Sequence, residues 1–129
     1  MEQITLCPLS CPFSVCQVAG TESLPIGRAY CFTACTKDEI SLVCKTEDVP
    51  SFTLQREDGW RCFYVKGPLD FSLIGILARI ASLLADANIS IFALSTFNTD
   101  YLLVKQENWQ RALEVLHQNG STILNNEAQ

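Results

Sequence analysis

Residues 66–105 read KGPLDFSLIGILARIASLLADANISIFALSTFNTDYLLVK, and this stretch decides the fold. Trp60 to Lys66 alternates as a strand does, and Gly67-Pro68 breaks it. Asp70 or Ser72 then caps a helix, expected over about Ser72 to Ala87, whose apolar positions Leu73, Ile76, Leu77, Ile80, Leu83 and Leu84 share one face. Asp86-Ala87-Asn88 ends that helix. The β-branched and aromatic run Ile89 to Phe97 is a strand, Asn98-Thr99 turns the chain, and Tyr101 to Val104 returns as the second arm of a hairpin.

Beyond the hairpin, Trp109, Ala112, Leu113 and Leu116 fall on one helical face, which predicts a helix from Trp109 to Gln118. Asn119-Gly120 stops it, and Thr122-Ile123-Leu124 supplies a short final strand. The order strand, helix, strand, strand, helix, strand is that of the α+β ferredoxin-like folds, in which two helices cover one face of an antiparallel sheet.

The segments GPLDFSLIGILA and SIFALSTFNTDYLLVK, with the terminal helix, resemble the small bacterial proteins of the aspartate-kinase-type ACT family, whose relatives include animal arginine-sensing ACT proteins. The resemblance implies a ferredoxin-like ACT fold (βαββαβ) over residues 59–129, preceded over 1–58 by a degenerate ACT-like, β-rich half. It also implies a non-catalytic regulatory module that binds a small ligand, an amino acid above all, at an inter-domain or subunit interface. The positions matching the ligand-holding parts of the arginine-sensing relatives are Asp70, Leu73, Gly75, Ile76, Thr96, Phe97 and Asp100. Leu73 departs from the pattern, because those relatives carry an acidic residue there, and this leaves the side chain of the ligand open.

The residues themselves support three features at these positions. The loop Gly67 to Ser72 leads into a helix N-terminus, whose unpaired amides and dipole suit a carboxylate; the plain alternative is an ordinary capped turn. Gly75, expected one turn inside the helix, costs about 1 kcal/mol there relative to alanine, which calls for close approach of a ligand, a neighbouring subunit or the sheet. Thr96 to Asp100 offers hydroxyls, an aromatic wall at Phe97 and a carboxylate for a cationic group, although Asn, Thr and Asp are also ordinary turn residues.

In the first half, Phe13 to Ala19, Ala29 to Thr36 and Ile40 to Cys44 are expected strands, with Thr21 to Gly27 a turn where a first helix would stand. The polar run Gln55 to Gly59 is expected to be the turn between the halves. No internal repeat is legible in the sequence.

Composition narrows the function classes. A chain of 129 residues with 48% hydrophobic content can bury a core. Nine basic residues, scattered among fourteen acidic ones, give a net charge of −5 and argue against nucleic acid as partner. No apolar run suits a membrane span and the N-terminus lacks a signal-peptide pattern, so the expected location is cytoplasmic. The seven cysteines form no C-x-x-C pair, and His117 is the sole histidine, so reduced packing thiols are expected and neither a metal nor another cofactor. Phosphate-loop, nucleophile-elbow and H-E-x-x-H motifs are missing, so no enzyme mechanism is proposed. A homodimer is expected, because an ACT-like sheet leaves an edge or helix face to be covered. The alternatives are a ligand-free interaction scaffold of the same fold and, behind it, a cysteine-dependent enzyme.

Overall fold

The computed structural model describes residues 4–66 and 75–124. The chain forms two compact units, Cys11–Trp60 and Met1–Ser10 together with Arg61–Gln129. Strand β1 (Thr5–Pro8), which the sequence did not announce, thus packs in the second unit.

The first unit contains β2 (Phe13–Val18), β3 (Phe32–Cys35), β4 (Ile40–Lys45) and the first part of β5 (Gln55–Val65), in the antiparallel order β3-β4-β2-β5. Cys16, Val18, Leu42 and Cys44 make its core, covered by Leu24, Cys31, Ile40 and Val49. Strand β3 starts later than expected because Tyr30 takes a φ of 62°, which no strand admits. Gln55 to Gly59 is not a turn. These residues are the start of β5, exposed throughout, and Gln55 and Glu57 pair with Gln17 and Val15 of β2. Strand pairing needs backbone bonds and no apolar side chains, so a solvated strand end reads as a loop. The one extra residue on β5 between the Phe13–Trp60 and Val15–Glu57 pairs is a bulge, and Gly59 sits beside it with φ 88°.

The second unit has the strand order β6-β7-β5-β1-β8, with β6 (Phe92–Ser95), β7 (Asp100–Lys105) and β8 (Thr122–Ile123). Helices α1 (Ile76–Asp86) and α2 (Trp109–Gln118) share one apolar cluster with the sheet, in which Ile80, Leu84, Ala112 and Leu116 meet Leu6, Phe63, Val65, Leu102 and Val104. This is the expected βαββαβ sequence of elements with β1 inserted between β5 and β8, antiparallel to the first and parallel to the second. Burial of these large side chains, each worth about 1.5 to 3 kcal/mol, fixes both helices on the sheet.

The two units contain a geometric repeat. In the first hairpin Phe32 faces Val43, Thr33 faces Leu42, Ala34 faces Ser41 and Cys35 faces Ile40; raising each number by 60 gives the pairing of β6 with β7. Thr36 and Thr96 close their turns with the same bonds, to Glu39 and to Thr99, and a 3-10 turn follows each hairpin at Thr46–Asp48 and Gln106–Asn108. In the first unit, however, residues 21–30 run as turns. In the second, the segment preceding the hairpin is α1.

Candidate functional site

Asp70 and Leu73 lie outside the described residues, as does the Gly67 to Ser72 loop. The other five positions expected from the sequence are in the second unit. Gly75 is not inside the helix but is its N-cap, with φ 83° and ψ 0°, and its carbonyl accepts the first helical bond from the Arg79 amide. A left-handed backbone conformation, and no crowding, explains this glycine: a Cβ built there meets nothing within 4 Å. Ile76 follows as the first helical residue and packs against the core cluster.

Thr96 builds the hairpin tip. Its amide donates to the Thr99 carbonyl at 2.8 Å, its hydroxyl donates to the same carbonyl at 3.1 Å, and the Thr99 amide donates back to the Thr96 hydroxyl at 3.3 Å. Phe97 projects from the tip, 84% exposed. Asp100 faces Ser95 across the hairpin, and its Oδ1 accepts the Ser95 hydroxyl at 2.5 Å. Two pairs of candidates and neighbours are therefore joined by hydrogen bonds, Thr96 with Thr99 and Asp100 with Ser95.

Thr99 is the residue that the sequence showed only as a turn former. It is buried, and its hydroxyl donates to the Val65 carbonyl at 2.5 Å. That bond sets the hairpin tip at the end of β5 from which the chain departs toward α1. Helix α1 ends beside the start of β6, at the other end of the hairpin, and its eleven residues span about 16 Å back toward the tip. Gly75 and Thr96 thus lie at the same end of the unit. A helix start with unpaired amides, hydroxyls, an exposed aromatic ring and a carboxylate there suit a small zwitterion.

None of the seven cysteines is in a disulfide. Cys7, Cys16, Cys44 and Cys62 are buried, Cys11 and Cys31 are half-buried, and Cys35 is exposed. Burial raises the pKa of Cys16 and of Cys31, and it pushes Cys44 up to about 12, with the neighbouring Cys16 and Cys31 adding to the effect. Among the described residues no group of three or more His, Cys, Asp or Glu side chains is arranged to hold a metal ion. His117 is exposed on α2. No described helix is long and apolar enough to cross a membrane.

Residues 55–118 match the model of the ACT domain. Over 58 residues the chain is 45% identical to the human protein named cytosolic arginine sensor for mTORC1 subunit 1, a match covering 44% of this chain and 18% of that one. The bovine protein of the same name matches equally. The chain thus spans about a fifth of the length of these relatives. Among solved structures, a protein of Agobacterium tumefaciens is 27% identical and superposes with a TM-score of 0.85 over 100% of this chain and 99% of that one. An aspartate kinase from Synechocystis shares the fold at a TM-score of 0.65 and 13% identity, over 99% of this chain and 28% of the kinase. Element order, family match and structural neighbours agree: residues 55–118 of this chain match the ACT domain, and the chain takes an ACT-type fold.

Proposed function

We propose that this chain is a non-catalytic regulatory module that binds an amino acid at the end of the second unit where α1 begins and the hairpin tip stands. The observation that carries the reading is the Thr99 to Val65 hydrogen bond, which anchors the tip at the end of β5. In this reading the α1 amides receive the ligand carboxylate and Asp100 faces its ammonium, with Thr96 and Phe97 forming the wall between them. The human relative's name speaks of arginine sensing in the cytosol. Here a cytoplasmic location is proposed likewise, while Leu73, at a position acidic in arginine-sensing relatives, leaves the preferred side chain to experiment.

Isothermal titration with each of the twenty amino acids tests the reading. One of them is expected to bind with a stoichiometry of one per chain, since the first unit has turns in place of α1. If none binds at millimolar concentration, the interaction-scaffold reading replaces this one.

A further inference from the structure

The first hairpin brings two cysteines face to face. In its register Phe32 pairs with Val43 and Thr33 with Leu42, so one step further Cys31 stands opposite Cys44. At the turn the Thr36 amide donates to the Glu39 carbonyl. Hydrogen-bonded and non-hydrogen-bonded pairs alternate from there, which puts Cys31 and Cys44 at a non-hydrogen-bonded place. The Cα atoms of such a pair are about 4.5 Å apart, inside the range of about 4.4 to 6.8 Å that a disulfide spans. Both side chains reach one core: Cys44 is buried with Cys16, Val18 and Leu42, and Cys31 packs against them. Cys31 is also among the groups that push the Cys44 thiol up.

The neighbouring thiols are placed less well. Cys16 faces Leu42 while Cys44 faces Ser14, so these two cysteines are diagonal neighbours. Their Cα separation of about 7 to 8 Å is too long to bridge without backbone movement. Cys35, opposite Ile40, lies at the far end of β3, about 13 Å along the strand from Cys31. In the second hairpin the positions matching Cys31 and Cys44 hold Ile91 and Val104, and both pack in the core. Packing therefore needs no sulfur at either place, yet in the first hairpin both are cysteine.

We propose that Cys31 and Cys44 form a redox pair, in which a peroxide oxidises the half-buried Cys31 and the buried Cys44 resolves it to an intramolecular disulfide. The Cys31 thiolate attacks one peroxide oxygen, the O–O bond breaks and hydroxide leaves, giving a sulfenic acid. The Cys44 thiol then loses its proton and its sulfur attacks that of Cys31; the S–O bond breaks and a second hydroxide leaves. The two thiol protons turn the two hydroxides into water, so two thiols are oxidised and one peroxide is reduced to two waters. Burial and the Asp48 carboxylate oppose a Cys31 thiolate, which makes the first step slow at neutral pH, but neither opposes a neutral disulfide. The bond ties β4 to the end of the 21–30 turn segment, whose Leu24 packs on the same core.

Peptide mapping of the folded full chain after treatment with hydrogen peroxide tests the proposal. Cleavage after Arg28, Lys37 and Lys45 leaves Cys31 and Cys35 in one peptide, residues 29–37, and Cys44 in the next, residues 38–45. Those two peptides are expected to be joined at least about tenfold more often than any other pair, as the geometry of the native hairpin requires. The link is expected to persist in Cys35→Ser and to vanish in Cys31→Ser and in Cys44→Val. In Cys44→Val the Cys31 sulfenic acid has no resolving thiol and is expected to be captured by dimedone. Oxidation in concentrated urea is expected to lose this selectivity, which assigns it to the fold. No amino acid is present in the assay, so its outcome is separate from that of the binding reading. A native product dominated by a Cys31–Cys35 or Cys16–Cys44 link overturns the proposal. So does a link that survives Cys31→Ser, or over-oxidation of Cys31 while Cys44 stays a thiol.

Discussion

The Thr99 hydroxyl, buried in the second unit, donates to the main-chain carbonyl of Val65 at 2.5 Å and so joins a hairpin tip to the end of a strand thirty-four residues earlier. Thr99→Val keeps the shape and removes the donor. The expected loss is about 1 to 3 kcal/mol of folding stability, since a buried partner loses its hydrogen bond. Chemical denaturation measures it. At the matching place of the first hairpin Glu39 is exposed, and Glu39→Gln is expected to change stability by less than about 0.5 kcal/mol. Equal effects at the two places would remove Thr99 as an anchor.

Gly75 gives the second test. Helix propensity alone favours Gly75→Ala by up to about 1 kcal/mol, which is what a position inside the helix would show. With φ at 83° the sign reverses, because an L residue in the left-handed region costs about 1 to 2 kcal/mol. Gly75→Asn is expected to be milder, since asparagine tolerates this conformation. Urea unfolding that ranks Gly above Asn above Ala supports the N-cap role. The order Ala above Gly above Asn would return Gly75 to a helical interior.

Parts of this architecture were legible because local pattern and tertiary burial agree. Ile80, Leu84, Ala112 and Leu116 recur at helical spacing and do meet the sheet. Other parts were hidden for physical reasons. Gln55 and Glu57 are strand residues held by backbone bonds to β2 with both faces solvated, so no apolar alternation marks them. The four residues of β1 gain their place from pairing with distant β5 and β8, a relation no local window contains. The hairpin repeat is not legible in the sequence because backbone register tolerates wide substitution: Phe32 and Phe92, Thr36 and Thr96, and Lys45 and Lys105 agree, while Ile40 stands where Asp100 does. At the candidate site the turn chemistry of Thr96 was readable, but the role of Thr99 depends on which carbonyl lies within its reach.

The thiol cluster predicts an alkaline loss of stability. Cys44 is pushed up to about 12 in the folded protein, whereas an unfolded cysteine titrates near 9. Between those values the unfolded chain releases the proton and the folded one keeps it, so stability is full below about pH 9 and falls as pH rises toward 12. Cys44→Val, which copies the Val104 found at the matching strand position, is expected to flatten that decline in denaturation curves taken from pH 8 to 11, with Cys16 supplying the residual slope. Alkylation at pH 8 should modify exposed Cys35 first and leave Cys44 intact in the native state. A native Cys44 that reacts as fast as Cys35 would contradict its burial.

Asp100 has two claims on its carboxylate, the Ser95 hydroxyl across the hairpin and the ligand ammonium of the proposed site. Two substitutions separate them. Asp100→Asn keeps an acceptor oxygen for Ser95 while removing the charge, so stability is expected to change by less than about 0.5 kcal/mol. Binding of the amino acid identified by titration should weaken by about 1.5 to 3 kcal/mol, roughly ten- to more than a hundredfold in Kd, as for loss of a charge-assisted hydrogen bond. Ser95→Ala removes the competing donor and leaves the charge, so the hairpin loses about 0.5 to 1.5 kcal/mol while Kd stays within about threefold. If Asp100→Asn binds as the wild type does and Ser95→Ala shows the same loss of stability as the Asp100 variant, the carboxylate serves the hairpin alone, and the ligand ammonium must be held elsewhere at this end of the unit.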